Sequence, residues 1–180
     1  MSVPVTYFVH GTTTDNENKL STGWRPGELS GAGKKQARAL GEIIKNKKFD
    51  AVFCSDLKRA VDSAQLVFGD KYQITLDSRL RECNYGDLAG LPNTLQDHLG
   101  EYVFHPFPNG ESYHDVEKRV ADFIKFLKIN YSGRHIAVMA HQGPQLAFEV
   151  LCNKKTWPEA IAADWRKVGR WQAGWEYVVE

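Results

Sequence analysis

The 180 residues carry 23 Lys and Arg against 22 Asp and Glu, a net charge of +1, and 42% of them are hydrophobic. That length suits one domain over residues 1–180 with a core of its own, and the composition is ordinary for a soluble globular protein. The balanced charge excludes a global footprint for nucleic acid or a membrane surface, so any anion site has to be local, and no apolar run reaches the length of a membrane span.

The chain opens on an apolar, β-branched and aromatic run from Val3 to Val9 that stops at His10-Gly11, the pattern of a buried strand ending in a functional loop. Met1-Ser2 leads straight into it, and no signal peptide is expected. Residues 12–29 predict a long loop punctuated by Gly23, Pro26 and Gly27, with Trp24 as its large anchor. Loops of that length in compact domains are usually functional. Ser30 is placed to cap a helix over Lys34 to Lys45, where Ala37, Leu40, Ile43 and Ile44 recur at helical spacing. Asp50 to Ser55 predicts a short buried strand running into a second helix, Leu57 to Phe68, capped near Ser55 or Asp56. Tyr72 to Leu76 then predicts an edge strand, and Asp77 to Gly110 reads as irregular.

Ser112 is placed to cap a long helix with Val116, Val120, Phe123, Ile124 and Leu127 on one face and Lys118, Arg119, Asp122 and Lys125 on a solvated one. His135 to Ala140 predicts another buried strand, after which His141-Gln142-Gly143-Pro144 opens a helix, Pro144 suiting its first turn. Trp157, Trp165, Trp171 and Trp175 are expected to cover one side of the core, and Trp175 to Val179 reads as a last strand. Leu99, Tyr102, Val103, Phe104 and Phe107 are expected to pack under a loop rather than form a lid. Strands alternating with helices predict an α/β fold, a three-layer α/β/α sandwich with a largely parallel central sheet.

Cys54, Cys83 and Cys152 lie far apart with no CxxC pair, which argues against a disulfide scaffold or zinc site and fits a reducing, cytoplasmic setting. No helical pair of histidines at i, i+4 marks a metal site, so neither metal nor other cofactor is expected. No heptad repeat or isolated apolar helix face marks an oligomer interface, and the oligomeric state is left open.

Two predicted strands end in a histidine followed shortly by glycine, His10-Gly11 and His141-Gln142-Gly143, and a third ends in Ser55-Asp56 with Arg59 one turn into the next helix. In a parallel sheet these ends converge at the carboxyl edge, where open α/β sheets bind ligands. Gly11 lets the backbone come close to a bound group. Two imidazoles beside a guanidinium suit phosphate chemistry. Arginine offers a rigid donor fork, and a neutral imidazole attacks phosphorus to leave a phosphohistidine that water removes. The departing oxygen needs a proton, and Glu82 in Arg79-Leu80-Arg81-Glu82 is the best-placed carboxylate.

The ordered segments Val9-His10-Gly11-Thr12-Thr13 with Asn16, Thr22-Gly23-Trp24 before Leu29-Ser30, Ser55-Asp56-Leu57-Lys58-Arg59-Ala60, Leu80-Arg81-Glu82, Gly110-Glu111-Ser112 and Ala140-His141-Gln142-Gly143 resemble the histidine phosphatase superfamily, the phosphoglycerate-mutase-like proteins, over nearly the full length. The resemblance implies that His10 is the nucleophile, with its other ring nitrogen held by a backbone carbonyl. It further implies that His141 binds phosphate, Arg59 clamps phosphoryl oxygens, Glu82 donates the proton and Asn16 adds a hydrogen bond. Gly11, Thr22, Gly23 and Gln142 fall at substrate and phosphate positions. The implied partner is a small phosphorylated substrate.

The main departure is Val9, where the family pattern has an arginine. Losing a guanidinium aimed at transition-state charge costs about 10²–10³ in rate, and Arg25, Arg81, Arg166 and Arg170 are the candidates to replace it, the first two ahead of the others. Thr12, where the pattern has an acidic residue or Gln, is a lesser departure. A metal-independent phosphomonoesterase is the leading expectation. A phosphoglycerate mutase comes second, weakened because residues 83–112 contain no Arg or Lys for a second acidic group. A binder of phosphorylated ligands comes third, because it needs neither nucleophile nor acid.

Overall fold

The computed structural model describes residues 1–94, 98–168 and 172–180. Five strands are formed, β1 (Val3–Val9), β2 (Ala51–Cys54), β3 (Ile74–Leu76), β4 (Ile136–Ala140) and β5 (Trp175–Val179). They join in one sheet of order β3-β2-β4-β1-β5. The pairings among β1 to β4 are parallel, and β5 lies antiparallel to β1 with Trp175 opposite Tyr7. The helices are α1 (Thr14–Glu17), α2 (Gly31–Ile43), α3 (Lys58–Phe68), α4 (Tyr113–Asn130), α5 (Gln142–Leu151), α6 (Trp157–Ala162) and α7 (Trp165–Val168).

Side-chain alternation along the strands divides the core into two layers. Val3, Val5 and Tyr7 of β1, with Ile136, Val138 and Ala140 of β4, pack on the buried face of α4 and on α5 and α6. Phe8, Ala137 and Met139 point the other way, against Leu40 of α2 and Ala60, Ala64 and Phe68 of α3. Every residue of β4 is buried, as a central parallel strand covered on both faces requires. The fold is α/β, and its parallel strands bring His10, Ser55 and His141 to one edge of the sheet.

Several sequence expectations change in detail. The long loop contains the one-turn helix α1, held by a capping box between Thr13 and Asn16; four residues are too few for periodicity to show. Helix α3 has Leu57 at its N-cap with no side-chain cap, although Ser55 Oγ accepts the Leu57 N–H at 3.3 Å. Arg119 is not on a solvated face. Its guanidinium donates to the carbonyls of Arg79, Arg81 and Glu82 and pairs with Glu111, so it ties the irregular acid-bearing segment to α4. Leu99, Val103 and Phe107 are buried while Phe104 is exposed, which is packing under a loop. Trp157 and Trp175 lie in the core with Trp165 against it; Trp171 lies outside the described residues. No helix among the described residues is long and apolar enough to cross a membrane.

Backbone contact fixes the loop after His10. A Cβ at Gly33 in the first turn of α2 would collide with the Thr12 carbonyl oxygen, and one at Gly11 would strike the Gly33 carbonyl. The Thr12 carbonyl also accepts the Ser30 N–H at 3.0 Å. Gly33→Ala is therefore expected to lower stability by about 1–3 kcal/mol, as overpacking does, and to weaken phosphate binding by moving the His10 loop. Gly31→Ala, where nothing lies within 4 Å, is the control and is expected to be neutral or stabilising. Urea midpoints of the two variants check this, and equal midpoints would show that the close approach carries no constraint.

Candidate active site

The last residues of β1 carry His10 to the sheet edge, where its N–H extends the strand pairing by donating to the Ala140 carbonyl at 3.1 Å. Its Nδ1 lies 2.7 Å from the Gly11 carbonyl oxygen. A carbonyl only accepts, so Nδ1 carries the proton and Nε2 the lone pair. Arg59 confirms that tautomer from the other side, its Nε–H donating to His10 Nε2 at 3.2 Å. Burial, then the Arg59 and Arg166 charges, hold the imidazole down at about 3 against the opposing pull of the Gly11 carbonyl. The ring is a neutral base over the whole ordinary pH range.

His141 follows β4 and is fully buried, with its ring centroid 5.1 Å from that of His10. Tyr7 straps this turn: its hydroxyl donates to the His141 carbonyl at 2.7 Å and accepts the His141 N–H at 3.2 Å. Nε2 of His141 hydrogen-bonds Ser55 Oγ at 2.8 Å, while its buried Nδ1 has no hydrogen-bond partner among the described residues. Burial first, then the charges of Arg59, His10 and Arg119, push this imidazole well below its usual value.

Arg59 is 2% exposed and holds the Gly23–Arg25 loop as well as His10. Its Nη2 donates to the Gly23 carbonyl at 2.8 Å and its Nη1 to the Arg25 carbonyl at 3.3 Å. Gly23 takes φ +56°, and a Cβ there would meet the Tyr85 backbone and ring at 3.2 Å. The next residue, Trp24, staples the loop to the acid segment by donating from Nε1 to the Glu82 carbonyl at 2.6 Å. Glu82 is 6% exposed, and its Oε1 accepts the backbone N–H groups of Cys83 at 2.8 Å and Gly143 at 2.9 Å. The carboxyl group is thus pinned to the turn that follows His141.

The structure brings His10, Gly11, Arg59, Glu82, His141 and Gly23 into this single cluster. Thr22 is buried beside it, but its hydroxyl donates to Asp15 at 2.9 Å. Asn16 is exposed, and its Oδ1 accepts the Thr13 N–H in the α1 capping box, so its amide oxygen serves the backbone rather than the histidines. Gln142 is buried and donates to the Asp164 carboxylate. Sequence reasoning gave no role to Asp164, Tyr7 or Ser63. Ser63 Oγ accepts the Gly11 N–H and donates to the Arg59 carbonyl, which couples the His10 loop to α3. Among the described residues no group of three or more His, Cys, Asp or Glu is arranged to hold a metal ion.

A family model described as histidine phosphatase superfamily (branch 1) matches residues 7–175. The chain belongs to the histidine phosphatase superfamily. It is 34% identical over 149 residues to a 2,3-bisphosphoglycerate-dependent phosphoglycerate mutase from Methylorubrum populi, covering 73% of this chain and 70% of the relative. It is 36% identical over 135 residues to a fructose-2,6-bisphosphatase from Xenopus tropicalis, covering 68% of this chain and 49% of that protein. Among solved structures, a mycobacterial glucosyl-3-phosphoglycerate phosphatase in complex with VO3 superposes with a TM-score of 0.78 at 26% identity, covering 89% of this chain and 86% of that one.

In this member of the superfamily the two arginines placed first as replacements at Val9 are engaged elsewhere. Arg81 forms a two-pronged pair with Asp56 at 2.7 and 2.6 Å and stacks over the Trp24 ring at 4.8 Å. The Arg25 guanidinium lies against Gly90, where any Cβ would collide with it. Arg166, with Nε 3.7 Å from Asp164, is among the described residues, and Arg170 lies outside them.

Proposed function

We propose that the protein is a metal-independent phosphatase that hydrolyses small phosphomonoesters through a phosphohistidine on His10. The observation that carries this reading is the tautomer of His10: its Nε2 lone pair, set by the Gly11 carbonyl, stands beside a buried guanidinium and a second neutral imidazole. In the first step Nε2 forms a bond to phosphorus as the ester P–O bond breaks, and the leaving oxygen takes a proton from Glu82. Because Oε1 of Glu82 accepts two backbone N–H groups, that proton sits on Oε2. The positive charge formed on the imidazole is met by the Gly11 carbonyl at Nδ1–H. Arg59 and the buried, unpartnered Nδ1 of His141 serve the phosphoryl oxygens. Water then attacks phosphorus, gives its proton to Glu82, and the N–P bond breaks to restore the His10 lone pair. The three free thiols, two of them buried, support a cytoplasmic setting.

A second reading, phosphoryl transfer between hydroxyls, is supported by the 34% identity to a phosphoglycerate mutase. The absence of Lys and Arg from residues 83–112 weighs against it, since a second acidic group on the substrate needs a cation from that side.

The test is an acid-sensitive phosphoenzyme trapped from a labelled aryl phosphate with chelator present and mapped by peptide mass. Label on His10 with release of inorganic phosphate is expected. Turnover without any label on His10 would sink the mechanism, and label passing to an added phosphoglycerate instead of water would move the assignment to the mutase.

A further inference from the structure

A phosphoryl group is a dianion, and the cluster around His10 offers it two neutral imidazoles and one guanidinium, Arg59, whose terminal nitrogens already donate to the carbonyls of Gly23 and Arg25. Val9 adds no charge. The site is one cation short of what charge neutralisation of a bound phosphate calls for.

Asp164 and helix α7 lie at the edge of the sheet that bears His10. Antiparallel pairing sets Trp175 opposite Tyr7, so the chain entering β5 lies at the carboxyl end of β1, the end that bears His10. The Trp165 ring packs on Trp175 at 5.9 Å and fixes α7 there. Asp164, 2% exposed, ties this segment to the second histidine turn. One carboxylate oxygen accepts from Gln142, the residue after His141, and the other caps α7 by accepting the Arg166 N–H at 3.0 Å. The Arg166 side chain stays about 30% exposed, with Nε 3.7 Å from Asp164. Its charge is felt at both His10 and Tyr85, which flank the cluster.

We infer that Arg166, held by Asp164 and α7, grips the phosphoryl oxygens beside His10 and so supplies the cation that Val9 leaves missing. This rests on the phosphohistidine reading of the same site. Asp164 acts as the positioning residue. It aligns Arg166 and, through Gln142, the turn that carries His141, so the two groups on that side of the phosphate move as one unit.

The experiment is calorimetric binding of orthovanadate and inorganic phosphate to the full chain at neutral pH, with kcat and KM on an aryl phosphate measured alongside. The variants are Arg166→Met, Arg166→Lys, Asp164→Asn, Arg166→Met with Asp164→Asn, and Arg170→Ala. Arg166→Met is expected to weaken anion binding at least about tenfold and to lower kcat/KM by about 10²–10³. Arg166→Lys is expected to recover only part, since an ammonium restores charge but not the fork. The double variant is expected to stay as weak as Arg166→Met.

The inference is overturned if Arg166→Met binds within about twofold of the parent, or if the double variant regains parental affinity, because Arg166 would then serve only to balance Asp164. Loss in Arg170→Ala with Arg166→Met unchanged overturns it in favour of position 170. A parent that binds neither anion overturns the phosphatase reading itself, a result distinct from a binding parent that ignores Arg166.

Discussion

Replacing Glu82 with glutamine is expected to cut kcat for an alkyl phosphate by about 10²–10⁴, the usual contribution of a positioned general acid, while leaving KM within a few-fold. The amide keeps the geometry. An Oε1 carbonyl continues to accept the Cys83 and Gly143 N–H groups, which hold Glu82 at 2.8 and 2.9 Å, and Trp24 and Arg119 still donate to the backbone carbonyl of residue 82. What the variant loses is the proton. A nitrophenolate leaves without one, so the first turnover of nitrophenyl phosphate is expected to stay within about tenfold of the parent. Its steady state slows instead, because the second step needs a base to take the proton of the attacking water. The result is a burst of nitrophenolate followed by slow hydrolysis, read by stopped flow. Equal loss in the first turnover of both substrates would make Glu82 a positioning group for the His141 turn. No loss in either would remove it from the mechanism.

The candidate site was legible in the sequence to the extent that it sits on strand ends. His10, His141 and Ser55 each follow a short apolar run, and parallel pairing of β1, β2 and β4 obliges those three ends to meet. Arg59 was legible for the same reason, in the first turn of the helix that follows β2. Contacts made by irregular chain were not. Arg119 sits at a polar position of an amphipathic helix, and nothing in its own helix shows that the carbonyls of residues 79, 81 and 82 will fold over it.

Asp164 and Arg166 lie more than a hundred residues from His10 in a stretch whose tryptophans announce packing and hide the charge chemistry between them. The link to Gln142 is a contact between α5 and the chain that follows α6, which no local pattern shows. Asn16 carries a local signal beside the family one. Thr13 and Asn16 stand at capping-box spacing, a local signal outweighed by the family pattern, and the amide oxygen turned out to serve the helix start.

Acid is expected to destabilise this protein before its most depressed carboxylates titrate. His10 has an ordinary value of 6.5 and a folded value of about 3, and His141 is displaced the same way. Burial and the Arg59 charge disfavour protonation of both in the folded chain, with Arg166 adding to this at His10 and His10 and Arg119 adding to it at His141, whereas the unfolded chain binds protons freely. Linkage then makes stability rise with pH wherever the unfolded state holds more protons. The contribution is complete above 6.5 and is lost progressively as pH falls towards 3.

From pH 7.5 to 4.5, His10 alone is expected to remove about 2–3 kcal/mol, roughly 1.4 kcal/mol per unit below 6.5, and His141 adds to it. That is a large share of the 5–15 kcal/mol typical of a domain. Carboxylates with depressed values, such as Asp115 at about 2, act mainly below pH 4, so the histidine window stands clear of them. Urea midpoints across pH 4.5–7.5 read the effect, and His10→Gln is expected to flatten the slope. Saturating inorganic phosphate is expected to oppose the loss, because a bound anion favours the protonated rings. A parent whose midpoint is flat over that range, or a His10→Gln chain with the parental slope, would show that the imidazoles take up protons in the folded protein, and the neutral lone pair on which the attack depends would be lost in mild acid.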